Sequence, residues 1–186
     1  LSDYNEQGVN ETRAYLSEEV RANHYELLDM NRTYYNTYVT RPYAIYRDNN
    51  TDAPRKRFDR MKELWDNKQV VFIEGEKTRL GVGNDLFRNT KSVERIICPA
   101  ENAFDRYDEI LEEALKTDKS KLILIALGAA ATVLAYDLAR EGYHAVDIGH
   151  IDIEYEWMKL GQGKKTSVKG KYNNEQGCCL CFFEQT

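Results

Sequence analysis

Residues 122–128 read Leu-Ile-Leu-Ile-Ala-Leu-Gly, an unbroken apolar run closed by a glycine, and the fold follows from what lies on either side. Six apolar residues without alternation suit a strand covered on both faces, as in a parallel sheet flanked by helices. After Gly128, residues 129–140 place apolar side chains at helical spacing and stop at Gly142, and residues 145–148 form the next strand. Upstream, residues 70–73 and 93–98 are short β-branched runs, the second ended by Pro99. Phe104, Tyr107, Ile110, Leu111, Ala114 and Leu115 mark an amphipathic helix between strands. Asp52 ahead of Pro54 opens another helix, with Phe58, Met61, Leu64 and Trp65 as its buried stripe. Strands alternating with helices at this spacing predict an α/β, Rossmann-like parallel-sheet domain with helices on both faces. Residues 51–160 carry this core. Residues 1–50 form a helical and tyrosine-rich portion, with Tyr15, Leu16, Val20, Leu27 and Leu28 at near-helical spacing, and residues 161–186 form a tail.

The 186 residues suit a single domain. The net charge of −5 argues against a nucleic-acid partner, whose phosphates call for a basic excess. The apolar stretch 122–135 is too short for a membrane span, and no signal peptide is present. Cys98 stands alone and Cys178, Cys179 and Cys181 cluster near the end without a paired framework, which points to a reducing, cytoplasmic setting.

In open α/β sheets ligands bind beyond the carboxyl ends of the strands, so the loops there are the places to look. After residue 73, Arg79, Gly81, Gly83 and Asn84 form a glycine-containing loop able to approach a diphosphate, with Arg79 as a bidentate partner; a tight turn with a solvated arginine is the alternative. After Cys98, Asn102 either meets a base or ribose or caps the following helix. Gly128 opens a helix and Asp147 follows nineteen positions on, half of a dinucleotide fingerprint in which small residues also allow close helix–sheet packing. From His150 to Trp157 polar and apolar residues alternate strictly. Read as an extended segment, His150, Asp152, Glu154 and Glu156 share one face, and Asp152 and Glu154 present two hard oxygens to one divalent cation. A solvated strand edge is the plainer reading of the same pattern.

Residues 74–87 (Glu-Gly-Glu-Lys-Thr-Arg-Leu-Gly-Val-Gly-Asn-Asp-Leu-Phe), 98–104 (Cys-Pro-Ala-Glu-Asn-Ala-Phe) and 147–157 (Asp-Ile-Gly-His-Ile-Asp-Ile-Glu-Tyr-Glu-Trp) resemble the GT-D fold glycosyltransferases. The family was first catalogued as a domain of unknown function and accompanies bacterial adhesin glycosylation and surface polysaccharide synthesis. The likeness runs from about Tyr38, through Arg41-Pro42-Tyr43, to about Glu175. It implies a Rossmann-like, GT-D type domain that binds a UDP-sugar and a divalent metal, Mn²⁺ or Mg²⁺. The family's Asp-x-Glu metal motif maps onto Asp152 and Glu154, and Arg79, Gly81, Gly83 and Asn84 fall in its nucleotide loop. The upstream Arg-Phe-Gly-Asp-Gly-Glu segment of that pattern is missing here, from which a chain truncated at its N-terminus, or the loss of that part of the site, is expected.

The leading expectation is therefore transfer of a sugar, glucose first, from UDP to a glycan or glycoprotein acceptor. Asp152, Glu154 and Arg79 would act on the leaving diphosphate, with Gly81, Gly83, Asn84, Asn102, Gly128, Asp147, His150 and Arg41 binding substrate. Glu156, Asp147 and His150 are the candidate bases for an inverting reaction. Two alternatives stand beside it. One is an NAD- or S-adenosylmethionine-binding enzyme using Gly128 and Asp147. The other is a non-catalytic module that binds a nucleotide sugar or recruits an acceptor or partner subunit. The tyrosines between 34 and 46 would be its surface, unless they serve ordinary packing and stacking on a sugar or base. A homodimer or a partner transferase domain is the assembly expected under any of these readings.

Overall fold

The computed structural model describes residues 2–172, so the cysteine cluster at 178–181 lies outside the described residues. Four strands form one wholly parallel sheet in the order β2-β1-β3-β4, namely β1 (Gln69–Gly75), β2 (Ser92–Cys98), β3 (Leu122–Ala126) and β4 (His144–Asp147). The central strands are buried along nearly their whole length, as the run 122–127 requires.

Side-chain alternation then sorts the core. Val70, Phe72, Leu122 and Leu124 face one side, where Phe58, Ile151 and Trp157 cover them. These come from α3 (Ala53–Lys62) and α6 (Ile151–Leu160). Val71, Ile73, Ile123 and Ile125 face the other side, beneath Ile110 and Ala114 of α4 (Tyr107–Ala114) and Ala131, Leu134 and Leu138 of α5 (Ala130–Arg140). Helices on both faces of a parallel sheet make this the Rossmann-like architecture expected.

Three expectations change. The helical first fifty residues contain two α-helices, α1 (Glu6–Tyr15) and α2 (Glu18–Leu27), of which only the first buries residues. α1 docks: Asn5 caps it and donates to the Ala44 carbonyl at 2.7 Å, and a Cβ on Gly8 would meet the Ile45 carbonyl oxygen at 2.8 Å. No residue of α2 is buried, so its apolar spacing marks no core face. Phe104 and Leu64, expected in buried stripes, are more than half exposed. Most consequential, residues 151–160 are a helix, not an extended segment.

That helix is buried almost all round: Ile151, Asp152, Ile153, Glu154, Tyr155 and Trp157 are each under a tenth exposed. The alternation of polar and apolar residues therefore records two kinds of buried contact, with carboxylates bonded to loops and apolar groups in the core. Gly161, at φ +63°, ends it in the left-handed conformation that glycine adopts without strain.

Candidate functional site

A cavity of about 670 Å³ opens at the carboxyl ends of the strands. That volume lies in the range of about 300–1,000 Å³ usual for small-molecule sites. Gly75, Asn102, Gly128 and Asp147 line it from the ends of the four strands, His150 and Asp152 from the start of α6, and Arg41 from the segment leading to α3.

The floor beside β3 is receptive to an anion. α5 begins after Gly128, whose φ of +56° turns the chain and beside which a Cβ would find open space. The helix has no side-chain N-cap, and Gly128, Ala129 and Ala130 line the cavity. Its first-turn N–H groups and dipole thus bear on the space where a phosphate would lie. Asp147 closes this corner. It accepts the Thr132 hydroxyl at 2.8 Å and the Gly149 N–H at 2.9 Å, which fix the carboxylate at the end of β4. Asn102 sits at φ +51° without a side-chain cap bond, so of its two expected roles the structure removes helix capping and leaves it on the cavity wall.

Arg41 donates to His150 Nδ1 at 3.2 Å. A guanidinium has no acceptor, so in this contact Nδ1 offers its lone pair. In this arrangement the Nδ1 lone pair faces the guanidinium and would have to be released before His150 could accept a proton there. Glu156 is set away from the cavity, its Oε1 accepting from the Asn84 amide at 2.6 Å.

The expected pairing of Asp152 with Glu154 fails on helix geometry. Residues two apart on a helix point about 200° from one another, whereas residues four apart share a face. Asn84 confirms the second relation by donating to both Asp152 Oδ1 (2.9 Å) and Glu156 Oε1. Asp152 also accepts the Gly81 N–H at 3.0 Å, and its other oxygen holds the Lys171 ammonium at 2.5 Å. Glu154 points elsewhere and is fully buried, with Oε2 accepting the N–H groups of Tyr43 (3.0 Å) and Ala44 (2.8 Å). Burial pushes its carboxyl up to about 7 against the pull of those two N–H groups and of Arg41 and Lys165. Its role is to anchor the segment that brings Arg41 to the cavity.

The loop expected to hold the nucleotide serves the scaffold. Arg79, Gly81, Gly83 and Asn84 do not line the cavity. Asn84 is spent on α6 and on the Leu86 N–H, and Gly81, at φ +68°, is pinned to Asp152. The Arg79 guanidinium reaches the Gly170 carbonyl at 3.4 Å instead of facing a diphosphate. Buried Glu74 ties the same loop down, accepting the Leu80 N–H at 2.6 Å and pairing with Arg95. Glu74 and Lys171 were missed in the sequence because the spacing of single charged residues says nothing of burial.

The site can be set beside known proteins. The family model for the glycosyltransferase GT-D fold matches residues 3–176. The chain belongs to the GT-D fold glycosyltransferases. This GT-D domain is 42% identical over 142 residues to glycosyltransferase GlyD of Streptococcus pneumoniae serotype 4, covering 76% of the chain and 17% of that protein. It is equally similar to a probable glycosyl transferase Gly of Streptococcus gordonii, covering 76% of the chain and 20% of that protein. The chain thus spans about a fifth of the length of these relatives. Among solved structures, a domain of unknown function 1792 described as having a distinct glycosyltransferase fold superposes with a TM-score of 0.84 at 37% identity, over 94% of this chain and 62% of that one. A glycosyltransferase of the same domain type from Streptococcus sanguinis gives 0.85 at 36%, over 95% and 65%.

The divalent metal that the family resemblance implies was tested against the residues present. Asp152 and Glu154 of this GT-D domain diverge, Glu154 lies off the cavity, and the outward oxygen of Asp152 carries an ammonium. Among the described residues no group of three or more His, Cys, Asp or Glu side chains converges on one point. The pair does not fit one ion in this arrangement.

Proposed function

We propose that this domain transfers a sugar, glucose being the first to test, from a UDP donor to a hydroxyl of a glycan or glycoprotein acceptor. One observation carries the reading: the uncapped N-terminus of α5 and the Arg41 guanidinium line the same polar cavity at the carboxyl edge of the sheet. Helix-terminal N–H groups and a guanidinium together suit a diphosphate. Asp147 and Asn102 supply acceptors and donors for ribose, base or sugar hydroxyls. The Gly128 and Asp147 elements that suggested a dinucleotide enzyme serve a nucleoside diphosphate equally well, and family membership favours the sugar donor.

In the transfer, the bond between the anomeric carbon and the β-phosphate oxygen breaks and its electron pair stays on UDP. The acceptor oxygen forms the new bond and its proton leaves. Stabilising the charge that develops on UDP by fixed N–H groups and a cation is the large electrostatic contribution to such a step. For an inverting reaction, Asp147 is the one of the three candidate bases that both lines the cavity and remains a carboxylate acceptor.

The test is calorimetric titration of UDP, with and without Mn²⁺, followed by chromatography of UDP-glucose hydrolysis. Saturable UDP binding that Arg41→Ala weakens supports the reading. A wild-type protein that binds no uridine nucleotide under either condition overturns it. Binding that requires Mn²⁺ would show that a cation re-forms the corner around Asp152.

A further inference from the structure

The Lys171 side chain is set deep in the cavity wall. It is 5% exposed and that of Asp152, its partner, 7%. The ammonium donates to Asp152 Oδ2 at 2.5 Å and to the Arg79 carbonyl at 2.9 Å, and Lys171 lines the cavity. An ammonium has three N–H donors, so these two contacts leave one. Asp152 is saturated from its other side by the Gly81 N–H and the Asn84 amide.

The neighbouring residues hold Lys171 across the opening. Gly170 accepts from Arg79, while the Tyr172 hydroxyl donates to Glu101 at 3.0 Å and its ring lies under Lys77 at 5.4 Å. Residues 170–172 therefore bridge the loop after β1 and the loop after β2, with the lysine directed between them.

We propose that Lys171 contacts the donor's diphosphate and neutralises UDP as it leaves, with Asp152 as the residue that positions the ammonium. The inference rests on the sugar-nucleotide reading above. It gives the departing group a second cation opposite Arg41 and gives Asp152 a role suited to its helical placement. A burial of this depth orients the lysine before substrate arrives, so little reorganisation accompanies the step.

The experiment compares UDP with uridine in calorimetric titrations of wild type, Lys171→Met and Lys171→Arg, all with Mn²⁺ present. Lys171→Met is expected to weaken UDP about ten- to a hundredfold, the range for one lost charge-assisted hydrogen bond, and to leave uridine unchanged. Lys171→Arg, which keeps the charge, is expected to recover most of the UDP affinity. Equal losses for UDP and uridine make the lysine structural and overturn the proposal, as does an unchanged UDP affinity. Where the methionine variant fails to fold, the wild type serves: the side-chain NMR signal of Lys171 should move on adding UDP and stay in place on adding uridine. A still signal with bound UDP overturns the Lys171 assignment and leaves the UDP site standing. Absence of any UDP binding by wild type overturns both.

Discussion

Glu154→Gln should change the pH dependence of stability more than it changes stability at any single pH. Glu154 is fully buried, and its carboxyl is raised from 4.5 to about 7 by burial. The groups around it are the Tyr43 and Ala44 N–H donors, Arg41 and Lys165. Because the folded state holds this proton more tightly than the unfolded chain does, the associated stability is fully present below about pH 4.5. It is lost as pH rises through about 7, beyond which it no longer changes. A shift of this size corresponds to about 3 kcal/mol, to order of magnitude. For a domain of this length it moves the thermal midpoint by about 6–12 °C. The glutamine amide keeps an acceptor for the two N–H groups and does not titrate, so the variant should lose this part of the slope. The assay is thermal or urea unfolding of both proteins from pH 4.5 to 8, read as the difference between the two curves. Parallel curves across that window would refute the reasoning, because they would show that the buried carboxyl does not change its proton count on unfolding.

Gly81→Ala should destabilise by about 1–3 kcal/mol, since the residue sits at φ +68° and a Cβ would stand 2.8 Å from the Phe87 ring; an unchanged melting midpoint would contradict this. Arg95→Leu strips a guanidinium from Glu74, which is 1% exposed, leaving the Leu80 N–H as its remaining partner. The loss should approach about 3 kcal/mol, discounted because Arg95 is a third exposed, and urea midpoints would show it; adding Glu74→Gln should restore part of it. Arg41→Ala should weaken UDP about ten- to a hundredfold in calorimetry while shifting the melting midpoint little, and equal affinity for the two proteins would remove Arg41 from the diphosphate site.

The architecture was legible because its signals are local. A continuous apolar run is forced into a two-faced strand, and Gly128 and Gly142 punctuate the helix that follows, as the φ values of +56° and +85° bear out. Gly128, Asp147, Asn102 and His150 line the cavity because a parallel sheet sends its strand ends to one edge, whereas Arg41, named through the family resemblance, reaches it from a segment ahead of the first strand. Arg79, Gly81, Gly83 and Asn84 obey the same rule yet lie off the cavity, and of their loop Thr78 and Leu80 line it. Three acceptors from other elements, the carboxylates of Asp152, Glu156 and Glu74, bind that loop's N–H and amide groups and fold it back onto α6. Such tertiary capture leaves no trace in the spacing of Arg79, Gly81 and Gly83.

The same physics explains why 150–157 deceived. Period-two alternation marks a strand only when one face is wet, because then burial and polarity coincide. On α6 they do not coincide, since Asp152 and Glu154 are as buried as Ile151 and Ile153. Each carboxylate instead meets a different piece of chain: Asp152 the Gly81 loop and Lys171, Glu154 the Tyr43–Ala44 amides, Glu156 the Asn84 side chain. A helix that carries buried acids at about 200° steps can draw together separate segments of chain, which two acids at alternate positions of a strand, sharing one face, cannot. The two cationic side chains proposed to meet the donor, Arg41 and Lys171, come from segments outside the alternating β/α core, and these acids hold those segments at the cavity. Loss of Asp152 should therefore act on UDP binding through Lys171, and loss of Glu154 through Arg41. In a double-mutant cycle on UDP affinity, Asp152→Asn with Lys171→Met should be non-additive, as should Arg41→Ala with Glu154→Ala, which removes the acceptor for the Tyr43 and Ala44 N–H groups, while the crossed pairs should add.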